Sequence, residues 1–104
     1  EDAFSKKIYD VIGAGVGIIE SVPAAVSIAY YTQDPNKCCL MCANLGGDTD
    51  TIGAMATAIC GAFVGYSKIN PEYTELLRVQ NPETDFEEYI NILEKRRELL
   101  GCGR

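Results

Sequence analysis

The sequence predicts an all-α fold, an orthogonal bundle of about six helices. Three observations carry this. Apolar residues recur at three- and four-residue spacing, and no stretch alternates as a strand does. Helix-start signals recur at Ser21 with Pro23, Asp34 with Pro35, Asn70 with Pro71, and Thr84 with Glu87. Glycines at 13, 15 and 17, at 46 and 47, and at 101 separate the periodic segments. The 104 residues suffice for one modest unit, residues 1–104.

Residues Ala3 to Ile12 carry Phe4, Ile8, Val11 and Ile12 at helical spacing, which predicts a first short helix. The run Gly13-Ala14-Gly15-Val16-Gly17 ends it. Ser21 reads as an N-cap with Pro23 in the first turn, giving a second helix to about Thr32. Asp34 and Pro35 repeat the signal and predict a third helix to about Asn44. A fourth spans about Thr51 to Ser67. One ridge of it is small, with Gly53, Thr57, Gly61 and Gly65, and Ala54, Ala58 and Ala62 lie beside it. Another face carries Ile52, Met55, Ile59 and Phe63. A helix apolar nearly all round is expected to be buried, with neighbouring backbones close to its small ridge. Its apolar stretch of about fifteen residues falls short of the roughly 20 that cross a bilayer. Asn70 and Pro71 start a fifth helix, with apolar Leu76, Leu77 and Val79, which Asn81-Pro82 ends. Thr84 and Glu87 form a capping box for a sixth, whose core stripe is Phe86, Tyr89, Ile90 and Leu93. Gly101 stops it.

Composition narrows the function classes. A net charge of −6 argues against nucleic-acid backbone binding, which needs clustered Lys and Arg. The one basic cluster, Lys95-Arg96-Arg97, lies late in a helix, where it complements the helix dipole. With no histidine, the chain holds no Ser-His-Asp triad, no Cys-His pair and no histidine metal ligand. Carboxylates, hydroxyls and thiols must carry its chemistry. Cys38, Cys39, Cys42, Cys60 and Cys102 are odd in number, and three of them crowd together, unlike a secreted disulfide framework. A reducing cytoplasm is expected, with the cysteines as small buried side chains rather than a soft-metal site at Cys39 and Cys42. No signal peptide is visible. The chain begins without methionine and inside a helix, which reads as a piece of something longer.

Two glycine runs invite chemical readings. Gly13-Ala14-Gly15-Val16-Gly17 falls short of a dinucleotide fingerprint, because Ile18 stands where its third glycine belongs and no strand returns. A tight turn or the close approach of a ligand explains these glycines better. Glu20-Ser21-Val22-Pro23 beside them reads as a cap with a solvated Glu20, or as a turn near a ligand. The run Gly46-Gly47-Asp48-Thr49-Asp50-Thr51 is the stronger signal. Carboxylates two residues apart in a turn can converge on one cation, and oxygen-only donors suit Mg²⁺ or Mn²⁺. The alternative is Asp50 as N-cap and Asp48 as a turn residue. The buried helix that follows favours the cation, since buried carboxylates are costly unless paired or metal-bound.

Gly46-Gly47-Asp48-Thr49-Asp50-Thr51-Ile52, followed by Ala54, Ala58, Gly61, Ala62 and Gly65, resembles the C-terminal signature of the ADP-ribosylglycohydrolase superfamily. That family includes the dinitrogen-reductase-activating glycohydrolase and the ADP-ribosyl-arginine and ADP-ribosyl-serine hydrolases. Gly13-Ala14-Gly15-Val16 with Glu20-Ser21-Val22-Pro23-Ala24-Ala25 resembles it too, as does Ile69-Asn70-Pro71-Glu72-Tyr73. The resemblance covers most of the chain and is weakest after about Val79.

The resemblance implies an all-α hydrolase with a binuclear Mg²⁺ or Mn²⁺ centre. Asp48, Asp50 and Thr51 would be metal ligands, and Gly13, Gly15 and Val16 would line the ADP-ribose pocket. The reaction would be hydrolysis of an N- or O-glycosidic bond at the ribose, with a carboxylate (Asp48 or Asp50) as acid or base. Family enzymes are about three times longer, and their other ligands come from an N-terminal acidic motif that Thr84-Asp85 does not supply. This chain therefore reads as the C-terminal third of a catalytic domain, incomplete and inactive alone. The expected partners are ADP-ribose conjugates and the N-terminal part of the domain or a second copy, with no nucleic acid and no membrane. A crystallin-like structural member or a helical interaction module is the alternative.

Overall fold

The computed structural model describes residues 2–101, so Cys102 lies outside the described residues. Six α-helices and no strand are found among them. The chain divides into two compact units, Glu1–Asn70 and Pro71–Arg104.

In the first unit, α1 (Asp2–Lys7) runs into a π turn over Ile8–Ile12. The Gly13 N–H closes that turn on the Ile8 carbonyl at 2.9 Å, with Gly13 at φ 96°, a left-handed value that favours glycine. Next comes α2 (Ile18–Thr32), one turn earlier than the sequence predicts. Extended Gly17 is its N-cap, and the Gly17 carbonyl accepts from the N–H groups of Glu20 (3.0 Å) and Ser21 (2.9 Å). Ser21 is therefore a buried helical residue and not the cap. Pro23 lies inside the helix, where its ring leaves the Ile19 carbonyl without a main-chain donor four residues on. The expected start at Asp34-Pro35 holds. The Asp34 side chain accepts from Asn36 N–H at 2.9 Å, Pro35 opens α3 (Pro35–Ala43), and Asn44 ends it.

Helix α4 (Thr49–Val64) packs against both α2 and α3 and ends in a 3₁₀ turn, Tyr66–Lys68. Asn36 ties that end to α3: its Nδ2 donates to the Lys68 carbonyl (2.8 Å) and its Oδ1 accepts from Asn70 N–H (2.7 Å). The core gathers Ile28, Ala24 and Ala25 of α2, Cys38, Met41 and Cys42 of α3, and Ile52, Ala56 and Cys60 of α4. Ile28 and Ile52 are fully enclosed, each contributing about 1.5–3 kcal/mol by leaving water. Phe4 of α1 stacks on Tyr31 of α2 with centroids 3.9 Å apart.

The expectation that α4 is buried all round is corrected. Only Ile52, Ala56 and Cys60 are buried, a single stripe at four-residue spacing, while Ile59 and Phe63 are exposed. The small ridge allows a close approach at one place. A Cβ on Gly53 would lie 3.4 Å from Cys42 Cβ, whereas one on Gly61 or Gly65 would meet open space. Cys38, Cys42 and Cys60 are buried as expected, and Cys39 is exposed.

The second unit holds α5 (Pro71–Gln80) and α6 (Phe86–Leu99). No residue of either helix is buried, so the stripe of Phe86, Tyr89, Ile90 and Leu93 is amphipathic patterning without a core of its own. Asp85, not Thr84, caps α6, its side chain accepting from Glu88 N–H at 3.1 Å. Glu87 does not complete a capping box with Thr84; it faces Arg78 Nη2 at 3.5 Å. Gly101, at φ 70°, follows the helix end. No helix of the described residues is long and apolar enough to cross a membrane.

Candidate active site

Two glycine loops, far apart in sequence, meet at one edge of the first unit. The Asp48 N–H donates to the Ala14 carbonyl at 2.7 Å. Gly47 makes this approach possible. It sits at φ 70°, and a Cβ there would lie 2.2 Å from the Ala14 oxygen. Ala14 is itself buried, so the turn between α1 and α2 is fixed on both sides. On its other side lies the Glu20 side chain. A Cβ on Gly13 would fall 1.9 Å from Glu20 Oε1, and one on Gly15 would fall 2.7 Å from Oε2. These glycines make room for a carboxyl group of the same chain, a role that sequence reading did not assign.

Asp48 is the N-cap of α4, but its side chain bonds none of the helix N–H groups. Its backbone does the capping, with the Asp48 carbonyl accepting from Ile52 N–H at 3.1 Å. The reading of Asp50 as N-cap is thereby corrected: Asp50 lies in the first turn. Side-chain hydrogen bonding with Asp48, then the N–H groups of Thr51 and of Asp50 itself, hold the Asp50 carboxyl below its ordinary 3.8. Asp48 and Asp50 lie two residues apart at the start of α4. Asp48 is half-buried, while Asp50 and Thr51 are exposed, which corrects the expectation of buried carboxylates. The reason is the same as for α4: only its stripe toward α2 and α3 is covered.

The donor set fits a hard divalent cation. It offers two neighbouring carboxyl groups not used as helix caps and a hydroxyl, all oxygen, at one helix start. Among the described residues, no group of three or more acidic or thiol side chains converges to hold a metal. Asp48 and Asp50 fall one acidic group short of such a cluster. Of the pocket residues expected, Gly13 and Gly15 lie in the turn and Val16 is 84% exposed beyond it. A shallow groove of about 560 Å³ borders the loop, lined by Ser5, Lys6, Tyr9, Asn44, Leu45 and Gly46. The Tyr9 ring lies over Gly46, where a Cβ would come within 3.3 Å of it.

Cys38, Cys42 and Cys60 serve the core. The hydrogen bond with Cys42, and then burial, push the Cys38 thiol up, and burial raises Cys60. Thr32 Oγ1 lies 3.6 Å from Cys60 Sγ.

The sequence profile of the ADP-ribosylglycohydrolase family matches residues 1–101. The chain belongs to this family. Among curated relatives, the chain is 50% identical over 98 residues to the uncharacterized protein YegU of Escherichia coli (strain K12), covering 93% of this chain and 29% of that one. It is 36% identical over 80 residues to ADP-ribosylhydrolase ARH3 of Xenopus tropicalis, covering 66% and 23%. It is 30% identical over 96 residues to ADP-ribosylarginine hydrolase Tri1 of Serratia proteamaculans (strain 568), covering 80% and 26%. The chain thus spans 23% to 29% of the length of these relatives. No solved structure matches it.

Proposed function

We propose that this chain supplies part of the metal shell and one wall of the sugar pocket of an enzyme that hydrolyses the glycosidic bond of ADP-ribose conjugates. The observation that carries the reading is the 2.7 Å bond from Asp48 N–H to the Ala14 carbonyl, which joins the acidic loop and the glycine turn into one edge. Family membership supplies the chemistry, and the names of ARH3 and Tri1 support an ADP-ribosyl substrate.

Asp48, Asp50 and Thr51 would hold Mg²⁺ or Mn²⁺ in a binuclear centre completed by residues outside this chain. Such ions polarise a sugar oxygen and lower the pKa of a bound water. The chain's own residues do the rest here. The Ala14 carbonyl fixes the Asp48 backbone. Its carboxyl and that of Asp50 are then presented together, and either can accept or return a proton. Gly13, Gly15 and Val16 would flank the ribose. The exposed apolar residues Val16 (84%), Ile19 (87%) and Phe63 (71%) support a companion segment of the same domain, or a second copy, against this unit.

The test is hydrolysis of ADP-ribosyl-arginine and ADP-ribosyl-serine peptides by the full-length gene product, with Mg²⁺, Mn²⁺ or a chelator. Metal-dependent release of ADP-ribose, lost in Asp48→Asn with Asp50→Asn, is expected. Release that survives both substitutions with unchanged metal dependence overturns the ligand assignment. No release and no ADP-ribose binding by calorimetry would instead favour a structural member of the family.

A further inference from the structure

We propose that Glu20 is a positioning residue for the acidic loop, acting through the Gly13-Ala14-Gly15 turn. The proposal rests on the reading of Asp48 and Asp50 as metal ligands. Three layers stack at this edge. The Glu20 side chain lies on one side, with one carboxyl oxygen against each of Gly13 and Gly15. The turn is in the middle. The Gly47-Asp48 backbone is on the far side of the turn, held by the Asp48 N–H bond to the Ala14 carbonyl.

Each layer requires the next. With a side chain at position 13, Glu20 could not lie where it does, since a Cβ there would fall 2.7 Å from the Glu20 carboxyl carbon as well as 1.9 Å from Oε1. With a side chain at 47, the Ala14 oxygen could not reach Asp48. Glu20 lies in the first turn of α2, whose N-cap Gly17 has no side chain to cap the helix. A Glu at the third helical position commonly reaches back to the N-cap N–H. Here it reaches past the cap and covers the turn. Among the described residues the Glu20 side chain takes part in no ion pair and no hydrogen bond, so the turn is what it engages. Carboxyl oxygens against two glycine Cα atoms restrict a turn whose glycines are otherwise free to move. The restriction passes to Ala14 and from there to Asp48.

Because the contact is one of shape, Glu20→Gln should preserve it and Glu20→Ala should not. The test uses the full-length gene product and two readouts. The first is hydrogen exchange of the segment around Asp48, measured without metal. Glu20→Ala is expected to speed exchange of the Asp48 amide about tenfold, with Glu20→Gln close to wild type. The second is Mn²⁺ binding by calorimetry, where Glu20→Ala is expected to weaken affinity about tenfold and Glu20→Gln to restore it. Both are measured well below the unfolding temperature, so that a loss of global stability alone moves neither. Wild-type exchange and affinity in Glu20→Ala overturn the proposal. Equal loss in Glu20→Ala and Glu20→Gln overturns it too, since the charge and not the shape would then matter. If Asp48→Asn binds Mn²⁺ like wild type, the ligand reading itself fails; if Asp48→Asn abolishes binding while Glu20→Ala behaves like wild type, only the positioning role fails.

Discussion

Replacing Gly47 by alanine probes the joint between the two loops most severely. Two costs follow from its geometry. Gly47 sits at φ 70°, where an L side chain costs about 1–2 kcal/mol. Its new Cβ would stand 2.2 Å from the Ala14 oxygen and 2.9 Å from the Ala14 carbonyl carbon, both backbone atoms of a buried residue. Relief requires the loops to part by roughly 1 Å, which stretches the 2.7 Å Asp48–Ala14 bond to about 3.7 Å, beyond hydrogen-bonding range. Loss of that bond adds about 0.5–1.5 kcal/mol. The expected destabilisation is about 1.5–3.5 kcal/mol. The assay is urea unfolding of the full-length gene product followed by circular dichroism, with hydrogen exchange reporting the Asp48 amide. A Gly47→Ala protein within about 0.5 kcal/mol of wild type, with that amide still protected, would refute the reasoning.

Gly61→Ala is the counterpart: a Cβ there meets nothing within 4 Å in a helix interior, so about 0.5–1 kcal/mol of stabilisation is expected in the same unfolding assay. Asp34→Ala removes the side-chain cap of α3 and should cost about 1 kcal/mol by urea midpoint. Asp50 has a depressed pKa in the folded state, so its contribution is complete above 3.8 and is lost as pH falls through the lower folded value. Asp50→Asn, studied with chelator present, should therefore flatten the stability profile below pH 3.8 and leave its slope at neutral pH unchanged. Native alkylation followed by mass spectrometry should label Cys39 readily and leave Cys38, Cys42 and Cys60 unmodified until denaturant is added.

Much of the fold was legible because its signals are local. Asp34-Pro35 places a cap and a first-turn proline on adjacent residues, and the structure uses both. Ser21 with Pro23 looks the same in sequence yet lies inside α2, because Gly17 adopts an extended conformation and its carbonyl starts the helix a turn earlier. Thr84 and Asp85 are adjacent candidates for one cap, and propensity does not separate them; the carboxyl of Asp85 takes the bond. For the site, the acidic loop was legible from composition and spacing. Its attachment to Ala14 was not, because 34 residues separate the partners and a backbone carbonyl leaves no trace in sequence. Glu20 was read as solvated for the same reason, since what it covers is glycine backbone. The breadth of the α4 apolar face was visible, but which stripe is covered depends on neighbours, and this chain covers one.

The central claim is that Asp48 and Asp50, held in place by the glycine turn, form one part of a divalent-metal site. Calorimetric titration of Mn²⁺ into the metal-free full-length gene product tests it most directly, comparing wild type with Asp48→Asn, Asp50→Asn and Gly47→Ala. Saturable binding that is abolished by either aspartate substitution and weakened by Gly47→Ala is the predicted result. Binding of the same affinity and stoichiometry in all four proteins would contradict it.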